Sequence, residues 1–138
     1  MMIRNVLCSA AVATLLAACG GALEYEDVAS PMAPGAEASI EAKVNEDQNQ
    51  TVLKLEIEHL PPAQRLDSGS EHYVAWYRRD RSDNWTRLAG LVYEEDDREA
   101  ELRTSVPETK FDLWVTTEKD VEAASPSKNV VFEQRVGG

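Results

Sequence analysis

Residues 38–45, ASIEAKVN, alternate strictly. Ala38, Ile40, Ala42 and Val44 fall on one side of an extended chain, and Ser39, Glu41, Lys43 and Asn45 on the other. A period of two marks a strand with one buried and one wet face. The same pattern recurs at Leu53, Leu55 and Ile57 against Lys54, Glu56 and Glu58. EHYVAWYRR (71–79) is apolar on both sides from Tyr73 to Tyr77, as a central strand would be, which places Trp76 in the core. WTRLAGLVY (85–93) and REAELRTSV (98–106) flank EEDD (94–97) and predict a hairpin. KFDLWVTTE (110–118) and NVVFEQRV (129–136) complete a set of seven.

Pro, Gly, Ser and Asp punctuate the gaps between these runs, and no stretch carries a sustained helical period. About seven short strands in roughly 100 residues predict an all-β fold, an immunoglobulin-like β-sandwich; a small barrel is the other architecture that fits. The sandwich is expected over residues 38–138. Beyond Cys19 there is no cysteine, so this domain must be held by an ordinary apolar core.

Upstream of residue 38 the composition changes. Residues 20–37, GGALEYEDVASPMAPGAE, are rich in Gly, Ala, Pro and acid. With Cys19 they are expected to form a flexible tether over 19–37, with an r.m.s. reach of about 25 Å. Before them, the 13 residues Val6–Ala18 form an apolar run behind a single basic residue, Arg4. That is short of the roughly 20 residues a membrane-spanning helix needs, and matches a secretory signal over 1–18.

The run ends Leu16-Ala17-Ala18-Cys19-Gly20, which resembles the lipobox of bacterial lipoproteins. That resemblance implies that the Cys19 thiol carries a diacylglyceryl group, that the signal is cut just before it, and that two or more acyl chains (palmitate-class) anchor the mature chain. Cys8 lies inside the apolar run and does not compete. Gly20, rather than Asp, after the cysteine implies outer-membrane attachment, on the periplasmic face or the cell surface.

A second resemblance covers residues 73–136. YVAWYRR and LAGLVYE, followed by FDLWVTTEKDVEAASPSKNVV, resemble the extracytoplasmic β-sandwich of anti-sigma-K-type factors. It implies the fold alone. The sequence contains no transmembrane helix and no His/Cys sigma-binding module of that family.

Candidate sites are few. The carboxylates of EEDD lack EF-hand spacing, and a solvated hairpin tip accounts for them. His59 and His72, the two histidines, fall short of a zinc set. Asp67, Ser68, Ser70 and His72 lie close together, but no G-x-S-x-G elbow accompanies them, so no catalytic residue, cofactor or metal is expected, and no enzyme. RRDR (78–81) has the composition of a charged turn. Without Arg4 the chain has 13 basic residues against 25 acidic, net −12, which disfavours nucleic acid as a partner.

The aromatics are more informative. In FDLWVTT, Phe111, Leu113 and Val115 share one face and Asp112, Trp114 and Thr116 the other. If the first face is core, Trp114 lies outside it. Trp114, Asp112 and Trp85 are therefore the expected ligand-binding residues, serving an envelope protein partner or, alternatively, a cell-wall glycan.

Overall fold

The computed structural model describes residues 22–138 and contains nine strands in two antiparallel sheets. The strands are β1 (Leu23–Ala29), β2 (Glu37–Asn45), β3 (Gln50–Glu58), β4 (His72–Arg78), β5 (Thr86–Gly90), β6 (Val92–Glu94), β7 (Glu99–Val106), β8 (Phe111–Glu118) and β9 (Val130–Val136). One turn of helix, α1 (Ala63–Leu66), lies between β3 and β4. The five-stranded sheet has the order β1-β2-β3-β7-β6 and the four-stranded sheet β5-β4-β8-β9. Without β1, the first order corresponds to strands A-B-E-D of an immunoglobulin domain, and β4-β8-β9 to C-F-G. The fold is the expected all-β sandwich.

The alternation seen at residue 38 produces this packing. Ala38, Ile40 and Ala42 of β2 meet Ile57, Leu55 and Leu53 of β3 in register. Their side chains face the inner row of the other sheet, Tyr73 and Ala75 of β4 and Phe111, Leu113 and Val115 of β8. The β2–β3 and β6–β7 hairpins close alike. Asn49 and Arg98 donate their N–H to the carbonyls of Glu46 and Glu95, and both adopt left-handed φ values of 50° and 55°. EEDD thus contributes to a turn, as expected. Where the chain crosses from β3 to β4, the Tyr73 and Tyr93 hydroxyls donate to the carbonyls of Pro61 and Leu60.

Two expectations are corrected. The expected tether of residues 19–37 is, from Leu23 onward, part of the fold. β1 pairs with β2 through Leu23↔Ala42, Tyr25↔Ile40 and Val28↔Ala38. A bulge at Asp27, with φ 56°, lies between Tyr25 and Val28. The extra residue breaks the period of two, so Tyr25 and Val28 both reach the core although they are an odd number of residues apart. Ser30 then caps a turn by accepting the N–H groups of Met32 and Ala33. The second correction concerns WTRLAGLVY, which is two strands in different sheets. After Gly90 the chain leaves β4 and crosses to pair with β7.

Candidate functional site

The outer faces of the two sheets carry different chemistry. On β4, Tyr73 and Ala75 point into the core, so Val74, Trp76 and Arg78 point out. Across the four-stranded sheet the outward rows are Gly90–Val74–Thr116–Val130, then Arg87–Trp76–Trp114–Glu133, then Arg78–Asp112–Arg135. Trp76 is fully buried, but on this outer side rather than between the sheets. Its burial is as expected; apolarity on both sides of the strand leaves open which layer it enters. Trp76 and Val74 form a second, smaller apolar layer.

The 119–129 connection covers part of that layer. Val121 folds back onto β5, where it packs so tightly on Gly90 that a Cβ there would lie 2.4 Å from its methyl group. Only glycine leaves that space. Beneath the connection runs a buried hydrogen-bond chain. Trp76 Nε1–H donates to Thr116 Oγ1 at 2.9 Å, and the Thr116 hydroxyl donates in turn to Glu118 Oε2. The same carboxylate oxygen accepts the Ser127 N–H at 2.8 Å. A buried carboxylate with donors from strand and loop holds the connection down.

The remainder of this face is the candidate site. Trp114, outward on β8, stacks on Trp85, the last residue before β5, with centroids 4.0 Å apart and planes 25° from parallel. The Arg78 guanidinium lies 4.4 Å from the Trp85 ring centre and 5.9 Å from that of Trp114. A cation on the far side of Trp85 would lie about twice the ring spacing from Trp114, so Arg78 flanks the stack and does not cap it. Asp112 orders the base of the site. Its Oδ2 accepts Arg78 Nε at 2.9 Å and its Oδ1 accepts Arg135 Nη1 at 3.2 Å. Arg135 also donates to the Arg79 carbonyl at 2.8 Å, which fixes the start of the 79–85 turn. Trp114 Nε1–H donates to Glu133 at 3.2 Å. Within the turn, the hydroxyl and N–H of Ser82 bind the Asp80 carboxylate and hold its pKa below the usual range.

The structure therefore brings together Trp114, Asp112 and Trp85. The sequence reading did not include Arg78, Arg135 and Glu133. Arg78 was legible in principle, because it has the same strand parity as Trp76. Arg135 and Glu133 become partners only through the β8–β9 register.

The other residues considered are dispersed. Ser70 is buried and donates its hydroxyl to Asp67 at 2.6 Å, closing the turn after α1. His72 lies on the surface beside Glu71, Tyr73 and Gln64, in a shallow recess whose lining contains no serine. His59 is exposed at the end of β3. Among the described residues, no group of three or more His, Cys, Asp or Glu is placed to hold a metal, and no helix is long and apolar enough to cross a membrane. Cys19 and residues 1–18 lie outside the described residues. No family model, curated protein or solved structure matches the chain.

Proposed function

We propose that this protein is a lipid-anchored component of a bacterial cell envelope, attached through acyl chains on Cys19, and that its sandwich is a non-enzymatic module for binding an envelope protein. The outer membrane is its proposed destination. The observation that supports the interaction role is the Trp85–Trp114 stack, flanked by Arg78 and based on the Arg78–Asp112–Arg135 bridge. Trp and Arg are the residues most enriched at the energetic centres of protein interfaces. Here both are pre-ordered by partners, which lowers the entropy lost on binding.

A glycan ligand would use the same indoles as stacking faces. That reading needs two open aromatic faces on one side, and Trp114 has one of its faces against Trp85. The protein partner is therefore the preferred reading.

Photo-crosslinking in living cells tests it. A photo-reactive residue at Glu133, beside the stack, is expected to give a discrete protein adduct, and one at Glu101, on the opposite sheet, none. Trp85→Ala should abolish the Glu133 adduct. Adducts to cell-wall material alone, competed by soluble glycan, would move the assignment to the glycan. Anchoring is tested separately by Cys19→Ser, which should leave an uncleaved or mislocalised precursor.

A further inference from the structure

Strand β1 leaves little chain between the fold and the anchor. Leu23 is paired with Ala42, and β2 continues from there to Asn45 and the 46–49 turn. The way from Ala42 to the end of β2 is about 10 Å at strand rise. From Cys19 to Leu23 the chain spans at most about 14 Å, even fully extended. Cys19 can therefore reach only slightly past the level of the 46–49 turn.

The topology places other elements at that same end. Asn49 donates to the Pro107 carbonyl, and the Thr51 hydroxyl to that of Glu108, so the 107–110 connection lies beside the turn. β8 begins there, opposite the end of β9 (Phe111↔Val136) and the end of β4 (Asp112↔Arg78). The Gly137 N–H donates to the Tyr25 hydroxyl at 3.0 Å. The 79–85 turn and the Arg78–Asp112–Arg135 row belong to this near end too.

We propose that the sandwich stands directly on the bilayer surface, with the end formed by turns 46–49, 79–85 and 107–110 against the lipid headgroups. The inference rests on the reading of Cys19 as the acylated residue and goes beyond it. A chain tethered by 18 free residues would have no preferred orientation, whereas this one has its near end held at the surface.

The charge distribution agrees with that orientation. The near end carries Arg78, Arg79, Arg81, Lys110 and Arg135 against Glu46, Asp47, Asp80, Asp83, Glu108 and Asp112, close to neutral. The far end carries Glu94, Glu95, Asp96, Asp97, Asp120, Glu122, Asp67 and Glu71 against Arg65, Arg98, Lys119 and Lys128, and is the more acidic of the two. An anionic bilayer repels the far end and tolerates the near one. The Trp85–Trp114 stack is then held within about three residues of strand rise, on the order of 10 Å, above the headgroup layer. A partner reaching it must itself approach along the membrane.

Fluorescence quenching tests this on the full acylated protein, bound to phosphatidylethanolamine–phosphatidylglycerol vesicles containing a headgroup quencher. The mature chain has no cysteine other than Cys19, so Gln48→Cys and Asp96→Cys each give a unique thiol for a fluorophore, one in each end turn. Since strands of this length separate the ends by about 30 Å, quenching at position 48 should exceed that at 96 by about 5-fold or more. Twelve Gly/Ser residues inserted between Ala22 and Leu23 should reduce the contrast to below about 2-fold, because the free tether is restored. Equal quenching at both positions in the uninterrupted protein, or stronger quenching at 96, overturns the proposal. The mass of the mature protein keeps the two readings apart. Equal quenching of a chain that carries its acyl groups sinks the orientation alone, whereas a chain without them sinks the anchoring reading beneath it.

Discussion

The two sheets share one core but differ on their outer faces. Outside the five-stranded sheet lies a solvated surface of glutamates in which like charges oppose each other directly. Glu37 faces Glu58, Glu56 faces Glu101, Glu24 faces Glu41 and Glu94 faces Glu99. Such pairs destabilise a sheet, and Lys54, bonded to Glu56 at 3.1 Å, offsets only part of the repulsion. Outside the four-stranded sheet, by contrast, Val74 and Trp76 are fully buried and the surface above them is built from a connection, a stacked indole pair and ion pairs. One sheet is thus buried on one face, and the other on its inner face and on part of its outer one. The face that resembles an interior is also the one that carries the site.

If the outer layer of the four-stranded sheet is a true second core, truncating it should be as damaging as truncating the first. Trp76→Ala is expected to cost about 3–5 kcal/mol, as large as the loss for a central aromatic in an ordinary core. Urea unfolding measures it, with Leu55→Ala as the comparison from between the sheets. A cost below 1 kcal/mol for Trp76→Ala would show the layer to be surface.

A smaller effect is expected from the polar support under the connection. Glu118→Ala leaves the Ser127 N–H and the Thr116 hydroxyl without their acceptor, a loss of about 1–3 kcal/mol. It also makes a local prediction that a core truncation does not. Hydrogen exchange at the Ser127 amide should accelerate, and limited proteolysis should begin within 119–129, while the amides of β2 and β3 keep their protection.

The crossover between the sheets should weaken in alkali. Burial, followed by repulsion from a neighbouring Tyr93 phenolate, raises the Tyr73 pKa well above the ordinary tyrosine value of about 10. Above pH 10 the unfolded chain loses this proton while the folded one keeps it, so stability is fully present below that pH and declines as pH rises. Tyr73→Phe, which also removes the bond to Pro61, should lower stability at pH 8 yet flatten its fall between pH 9 and 11. An unchanged slope would mean that the decline comes from other groups.

These contrasts also mark what the sequence made legible. Strict alternation located β2 and β3, and strand parity in FDLWVTTE placed Asp112 and Trp114 on the outer side. Both follow from the pleat, a local property. Where a bulge shifts parity, as at Asp27, the strand is hidden by the residue that makes it irregular. Where a chain is apolar on both faces, as at Tyr73–Tyr77, parity marks burial but not which side is the core. The burial of Trp76 is legible for that reason, and its layer is not. The stack of Trp85 on Trp114 and the Glu118–Ser127 bond depend on paths of a turn and a connection, which no periodicity encodes.

The smallest effect tests whether the glutamate face serves the fold at all. Glu101→Lys converts the opposed pair Glu56–Glu101 into an attractive one on an exposed surface. Stability should rise by about 0.2–1 kcal/mol. The gain should shrink from 10 mM to 1 M salt, because exposed charges are screened over a few ångström at high ionic strength. The same substitution should leave the Glu133 crosslink unaltered, since the two faces have no side chain in common. A gain in stability with an unchanged adduct would show that the acidic face costs the fold free energy and contributes nothing to the site. Its retention would then have to be explained by where the domain stands. In the proposed end-on stance, a negatively charged side face resists tipping of the domain onto an anionic bilayer. If Glu101→Lys instead lowered stability, the repulsion read from the cross-strand register would be outweighed by contacts that Glu101 itself makes, and the contrast between the two sheets would rest on the four-stranded side alone.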